Sequence, residues 1–227
     1  MNILNTIITI SVFSVSLACQ PMQEKNTETN TNQIEISADT SFNFENYETG
    51  KLPVNWSSAI TGKGKKCNWK ILKDNNNKIL AQISEEKADY RFNIIINDSL
   101  FYKDAEINVR FKGISGKNDQ GGGPVWRYVD ENNYYVARAN PLENNFRVYK
   151  VVNGNRKELK SARVKIDSNK WYDIKITMKG NKITCFFNKT AKLETIDNTF
   201  THTGKIGLWT KSDAVTYFDD LKIKQVK

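Results

Sequence analysis

Aromatic and arginine side chains are concentrated in residues 121–159. This segment contains three consecutive glycines, one tryptophan, four tyrosines and four arginines. A guanidinium group donates paired hydrogen bonds to hydroxyl or anionic groups, and a flat aromatic face can pack against a sugar ring. The two residue types together are typical of a surface that binds a sugar or an anionic polymer. They do not define a reaction.

We predict that the rings of Trp126, Tyr135 and Trp209 stack on a sugar. Polar side chains from the same segments would hold its hydroxyl or acidic groups. These predicted contacts are Arg127, Arg138, Asn140, Glu143, Arg147 and Lys211. The alternative is a charged loop held together by its own salt bridges, with no ligand.

Alternating apolar and polar residues predict the strands that position this site. The alternation continues on both sides of Asp130–Asn133, which indicates a β-hairpin. A third strand, Asn145–Val152, is followed by Asn153-Gly154, a dipeptide that favours a type I′ turn. The three glycines lack the Lys-Ser/Thr pair of a phosphate-binding loop, so they indicate a tight bend or a close backbone approach.

The register of the hairpin decides which side chains share a face. Pairing of Val129 with Tyr134 would oppose Val125 and Arg138, with Trp126 and Tyr128 on the other face. A slip of one residue would reassign every partner.

The chain from residue 42 to 227 predicts one all-β domain, either a β-sandwich or a jelly roll. Short alternating segments are separated by Asn- and Gly-containing turns, and no window of 12 or more residues keeps a helical period. Helix content should therefore be low.

Residues 1–41 predict export and a tether. An apolar run ends in Ser16-Leu17-Ala18-Cys19, which resembles a bacterial lipobox, so residues 1–19 are interpreted as a signal peptide with Cys19 as the lipidation site. An ordinary cleaved signal peptide is the alternative. Residues 20–41 are polar and predict a disordered tether. The expected location is the bacterial cell envelope, periplasmic or on the outer surface, with the lipid anchor as the only membrane contact.

Charge and cysteines give weaker indications. The net charge is +9, but the lysines are dispersed, which favours a solvated surface over nucleic-acid binding. Cys67 and Cys185 could form a disulfide or remain buried thiols.

No cofactor is required, and His202 has no catalytic-triad partner that can be recognised from the sequence. Glu45 and Asp219, with Asp220, form a candidate site for a structural Ca²⁺.

Three segments resemble a known family. Residues 42–56, 121–150 and 204–224 are similar to concanavalin A-like lectin/glucanase jelly rolls, and more closely to 3-keto-disaccharide hydrolase domains. The resemblance implies a jelly-roll sandwich of two curved antiparallel sheets for residues 42–227, with the ligand on the concave face. The Glu-x-Asp-x-(x)-Glu motif of glucanases on this fold is absent, and Asp104-Ala105-Glu106 is its nearest approach.

Three functions therefore compete. The first is an exported protein that binds carbohydrate, including acidic or oxidised sugars. The second is a glycoside hydrolase acting on 3-keto-disaccharides or related modified sugars. The third is a non-catalytic surface interaction module whose aromatic residues are packed and whose arginines pair internally.

Overall fold

The computed structural model describes residues 38–65, 67–189 and 191–226. Across these ranges there is no helix, and fifteen strands form two antiparallel sheets, so the all-β jelly-roll prediction is confirmed. Accordingly, none of the described residues forms an apolar helix long enough to span a membrane. Residues 1–37, which include Cys19 and most of the predicted tether, lie outside the described part.

The first sheet, called sheet A, contains eight strands in the order β13-β12-β11-β6-β15-β4-β3, with β1 also paired to β15. Its strands are β1 (Thr40–Phe42), β3 (Trp69–Asp74), β4 (Asn77–Gln82), β6 (Ala105–Ser115), β11 (Tyr172–Lys179), β12 (Lys182–Phe187), β13 (Ala191–Ile196) and β15 (Val215–Gln225). Because β1 pairs with β15 from Thr40 onward, the folded domain begins before the predicted boundary at residue 42.

Sheet B has seven strands in the order β10-β9-β8-β7-β14-β5-β2. These are β2 (Trp56–Gly62), β5 (Arg91–Tyr102), β7 (Gly122–Asp130), β8 (Asn133–Asn140), β9 (Asn145–Val152), β10 (Asn155–Arg163) and β14 (Gly204–Lys211). The predicted β7–β8 hairpin and the third strand are present. Asn153 and Gly154 have φ values of 47° and 76°, as the predicted type I′ turn requires.

The main core lies between the two sheets. On β8, Tyr135, Ala137 and Ala139 are buried in the same cluster as Ile107 and Ile176 of sheet A. Since successive strand residues point to opposite faces, Tyr134, Val136, Arg138 and Asn140 project from the outer face of sheet B. Alternation along β8 therefore separates the core from the polar candidates.

A bulge in β7 changes the predicted register. Asp130 pairs with Asn133, which agrees with the expected pairing near the turn, but Val125 pairs with Val136 and not with Arg138. The shift falls between Trp126 and Asp130, and Arg127 has a φ of 45°. Extra residues on one strand of a pair are the definition of a bulge, and they re-aim the side chains beyond it. Tyr128 consequently packs on the outer face and not beside Trp126.

Sheet B is so strongly curved that segments near its two edges approach each other across its outer face. Five strand spacings separate β10 from β5, about 24 Å in a flat sheet. However, the Tyr90 hydroxyl, just before β5, donates to the Gly154 carbonyl at 2.6 Å, and the Thr61 hydroxyl on β2 donates to the Glu131 carbonyl. These contacts bridge the face and create a second apolar core, formed by Phe92, Ile94, Ile96, Val125, Tyr134, Val136, Tyr149, Val151 and Trp209.

Both described cysteines are free and buried. Cys185 lies in the main core between Ile183 and Phe187, and the Cys67 thiol donates to the Ala59 carbonyl at 3.4 Å. The alternative of two buried thiols is therefore the one that the structure supports. Burial raises the pKa of both thiols, which keeps them protonated.

Candidate functional site

Arg138 is the centre of a polar cluster on the outer face of sheet B. Its Nη1 donates to Asp119 Oδ2 at 3.1 Å, and its Nη2 donates to Glu143 Oε2 at 2.7 Å and Asn145 Oδ1 at 3.0 Å. The side chains of Arg138 and Asp119 are 1% and 0% exposed. We call this group, with Asn140, Arg147 and Lys211, the Arg138 cluster.

The loop before β7 brings Asp119 into the Arg138 cluster. Asp213 accepts hydrogen bonds from the backbone N–H groups of Lys117, Asn118 and Asp119 and thereby fixes the loop. Asp119 in turn accepts from the Gly121 backbone N–H at 2.6 Å. A Cβ on Gly121 would lie 2.7 Å from Arg138 Cδ, so the predicted close approach is real at this glycine. Burial raises the pKa of Asp119, and Arg138 and Lys211 oppose that effect.

Glu143 and Arg147 form the exposed edge of the Arg138 cluster. Arg147 Nη1 lies 3.3 Å from Glu143 Oε2, and its Nε lies 3.3 Å from Glu158 Oε2. The side chain of Arg147 is 32% exposed and that of Glu143 is 38% exposed. Desolvation alone would raise the pKa of Glu143, but the hydrogen bonds from Asn145 and Arg138 outweigh it and lower the pKa to about 2.

This lowered pKa predicts a specific pH dependence of stability. Glu143 has a folded pKa of about 2 and a reference value of 4.5, so its contribution to stability is complete above pH 4.5 and is lost as the pH falls towards 2. In thermal melts, the difference in Tm between wild type and Glu143→Gln should shrink over that interval. Glu48→Gln removes a carboxylate from an exposed ion pair and serves as the control. A constant difference between wild type and Glu143→Gln would contradict this assignment.

Aromatic side chains lie next to the Arg138 cluster in the second core. Trp209 Nε1 donates to the Tyr134 hydroxyl at 3.2 Å, and its ring centroid is 5.1 Å from that of Phe92. Arg156 of β10 covers these rings, with its guanidinium carbon 4.5 Å from the centroid of Tyr149. Trp209 therefore lies on the predicted face, but it is fully buried and not open to solvent.

Trp126 and Tyr135 lie on the opposite side of sheet B from Arg138. They are buried in the main core and stack on each other with a centroid distance of 5.6 Å. The Tyr135 hydroxyl donates to Asp197 Oδ1 at 2.7 Å. The prediction that Trp126 and Tyr135 stack on a sugar held by Arg138 is contradicted, because alternation along β8 and β7 sends both rings into the main core.

Arg127 has a structural position at the end of the sandwich. Its Nε donates to the Lys103 carbonyl at 2.9 Å, and its Nη2 donates to the Gly180 carbonyl at 2.7 Å and to Asp104 Oδ1 at 3.0 Å. Its Nη1 donates to the Phe200 carbonyl. The guanidinium therefore joins three loops and does not belong to the Arg138 cluster.

Glu45 and Asp219 bind different residues of β4. Glu45 Oε1 accepts from the Lys78 backbone N–H at 2.8 Å, while Asp219 Oδ2 accepts from Asn77 Nδ2 at 2.7 Å. The Lys78 ammonium donates to the Glu45 backbone carbonyl. It therefore occupies an oxygen that could otherwise be a ligand of a cation. No group of three or more His, Cys, Asp or Glu side chains suited to a metal occurs among the described residues. These residues do not form a calcium cage, and Ca²⁺ binding stays a prediction.

Clefts also occur away from the Arg138 cluster. One of about 640 Å³ is lined by the 115–117 loop, Gln120, Ser168, Asn169 and Asp213. A shallower one of about 740 Å³ lies on sheet A beside Trp171 and Phe186. We place the candidate site at the Arg138 cluster because charged and aromatic side chains converge there.

The sequence missed Asp119, Asn145, Tyr149 and Arg156. Asp119 precedes the glycines and Arg156 follows the Asn153-Gly154 turn, so both stand beside sequence features that were recognisable without the structure. What the sequence did not reveal is the curvature, which carries β10 across the face towards β5.

Comparison with known proteins gives one family. The model of the 3-keto-alpha-glucoside-1,2-lyase-like domain matches residues 40–224. No curated protein sequence matches the chain closely enough to count as a relative.

Solved structures share the fold at low sequence identity. The carbohydrate-binding module CBM66 from Bacillus subtilis is 18% identical, with a TM-score of 0.61 over 75% of this chain and 96% of that one. A protein of unknown function from Shewanella oneidensis is 12% identical, with a TM-score of 0.56 over 90% and 95%. The GH43 protein BlXynB from Bacillus licheniformis is 13% identical, with a TM-score of 0.53 over 78% and 38%. At these identities the likeness concerns the fold alone.

Proposed function

Because the chain belongs to the family of 3-keto-alpha-glucoside-1,2-lyase-like domains, we propose that it is an exported protein that binds carbohydrate at the Arg138 cluster. The observation that carries this proposal is the convergence of guanidinium, carboxylate and amide groups beside buried aromatic rings on one curved face. Sugar hydroxyls need donors and acceptors fixed in position, and this cluster offers both. The fold shared with the carbohydrate-binding module CBM66 adds a weaker argument by analogy.

The exposed members of the Arg138 cluster are the ones a ligand can reach. Lys211 has a side chain that is 19% exposed, and its Nζ lies 3.5 Å from Asp119 Oδ2. Arg147 is 32% exposed. The buried Arg138 and Asp119 then act as support that holds the exposed groups in place.

Replacing either exposed cation should weaken glycan binding. For Arg147→Ala and Lys211→Ala, we expect affinity to fall about tenfold each, the loss typical of one hydrogen bond from a charged group. A panel of neutral and acidic oligosaccharides, measured by glycan array and then by calorimetry, provides the test. Arg163→Ala is the matched control, since Arg163 is an exposed arginine at the end of β10. Equal binding by all four proteins would refute the site.

An enzyme that cleaves a keto-sugar is the second candidate function, and the family match is the observation that favours it. General-base catalysis works best when the pKa of the base is near the working pH. Glu143 has a pKa of about 2, which makes it a weak base, and the Asp119 carboxylate is fully buried against Arg138, where a substrate does not reach it. We therefore expect purified protein to release no more product from a 3-keto-α-glucoside than a heat-inactivated control. Release above that control would replace binding with catalysis as the leading function.

Export and lipid anchoring at Cys19 belong to the same proposal. They rest on the apolar run and the Ser16-Leu17-Ala18-Cys19 sequence. Metabolic labelling with a fatty acid should mark the wild-type protein and not Cys19→Ser. Labelling of both proteins, or of neither, would count against the anchor.

A further inference from the structure

Arg156 packs its guanidinium group against three aromatic rings of the second core. The guanidinium carbon lies 4.5 Å from the ring centroid of Tyr149, 4.8 Å from that of Phe92 and 5.7 Å from that of Trp209. The Arg156 backbone N–H donates to the Tyr90 hydroxyl at 2.9 Å, which fixes the start of β10 beside β5. The side chain is therefore held at the place where the curved face closes.

One nitrogen of the Arg156 guanidinium, Nη1, lacks an acceptor within the described chain. This Nη1 is buried, and no carboxylate of the described residues lies within salt-bridge distance of the guanidinium group. Ring faces attract a cation, but they do not accept the N–H groups that point outward in the guanidinium plane. A donor without an acceptor is costly, and Arg156 as a whole is only partly buried, so a carboxylate of a ligand can approach its guanidinium group.

Two more arginines meet at the same tyrosine. The guanidinium carbon of Arg138 lies 5.9 Å from the Tyr149 ring centroid, and Arg147 Nη1 is 3.4 Å from the Tyr149 hydroxyl. The buried Nε of Arg138 also has no hydrogen-bond partner in the described part of the chain. Arg138 and Arg147 each have carboxylate partners, whereas Arg156 has none among the described residues. The unneutralised charge is thus on Arg156.

We propose that Arg156 binds the carboxylate of an acidic sugar, an assignment that rests on the proposed carbohydrate-binding function. A carboxylate is planar and carries two acceptor oxygens, which matches the paired donors of a guanidinium group. The sugar ring next to that carboxylate would lie against the exposed edge of the Arg138 cluster, where Arg147 and Glu143 offer a donor and an acceptor. A uronic acid glycoside combines both features in one residue.

The test compares two ligands that differ only at C6. Methyl α-D-glucuronide carries a carboxylate where methyl α-D-glucoside carries a hydroxymethyl group. By calorimetry, wild-type protein should prefer the glucuronide about 10- to 100-fold, the range expected for a hydrogen bond to a charged group. Arg156→Gln should abolish this preference and Arg156→Lys should retain part of it, while Arg163→Gln should behave as wild type. Thermal melts of each variant establish that it is folded.

The outcomes separate this inference from the proposed function. If neutral and acidic sugars bind equally, or if Arg156→Gln keeps the preference, the assignment to Arg156 is wrong although carbohydrate binding stands. If inorganic phosphate competes as well as the glucuronide, the site binds anions in general and the sugar assignment is wrong. If no sugar of the panel binds to any variant, both proposals fail.

Discussion

Arg138→Ala should lower the free energy of unfolding by about 3–5 kcal/mol, the cost of removing one partner from a buried ion pair. The substitution leaves the Asp119 carboxylate in a fully buried position, with Lys211 3.5 Å away as its remaining cation. It also deprives Glu143 and Asn145 of a shared donor. Urea denaturation should therefore show a lower midpoint with an unchanged m-value.

A double variant separates the pair from its surroundings. Asp119→Asn combined with Arg138→Met removes both charges, so its loss should be smaller than the sum of the two single losses. Arg163→Ala, on the exposed end of β10, should stay within about 0.5 kcal/mol of wild type. A loss below about 1 kcal/mol for Arg138→Ala would mean that water or a neighbouring side chain compensates Asp119.

Trp126→Ala should cost about 3–5 kcal/mol of stability while leaving sugar affinity per folded molecule unchanged. The indole is 2% exposed and stacks on Tyr135 in the main core, so its removal leaves a cavity between the sheets. Because the ring points away from Arg138, a ligand on the outer face does not touch it.

Trp126→Phe is the matched variant for this prediction. Trp126 Nε1 has no hydrogen-bond partner among the described residues, so phenylalanine loses no polar contact with them and should cost less than half as much as alanine. Denaturation gives the stability, and calorimetry on the folded fraction gives the affinity. A variant that is as stable as wild type but does not bind sugar would return Trp126 to the binding site.

The strands were predictable because their signals are local. Asn153-Gly154, Asp130–Asn133 and Gly180-Asn181 each mark a turn by residue type, and the structure has a hairpin at each place. The antiparallel sandwich follows from alternation between such turns. Arg138 and Glu143, both predicted as ligand contacts, lie close together because a short connection between two strands brings them onto one edge.

The division of aromatic residues between two faces was less predictable. The two-residue shift in β7 depends on the left-handed backbone at Arg127. An arginine does not favour that conformation, so the residue type at this position does not predict the shift. Trp126 and Trp209 have the same chemistry, yet one faces sheet A and the other faces the second core. Asp119 and Arg156 reach the site through loop placement and sheet curvature, which depend on contacts between distant segments.

The bridge across sheet B has a kinetic consequence. Thr61 and Glu131 are 70 positions apart in the chain, and Tyr90 and Gly154 are 64 apart. Closing such long loops costs chain entropy before the contacts can repay it, so these contacts should form after the local hairpins. Competence to bind would then be the last property that a refolding molecule acquires, later than its secondary structure.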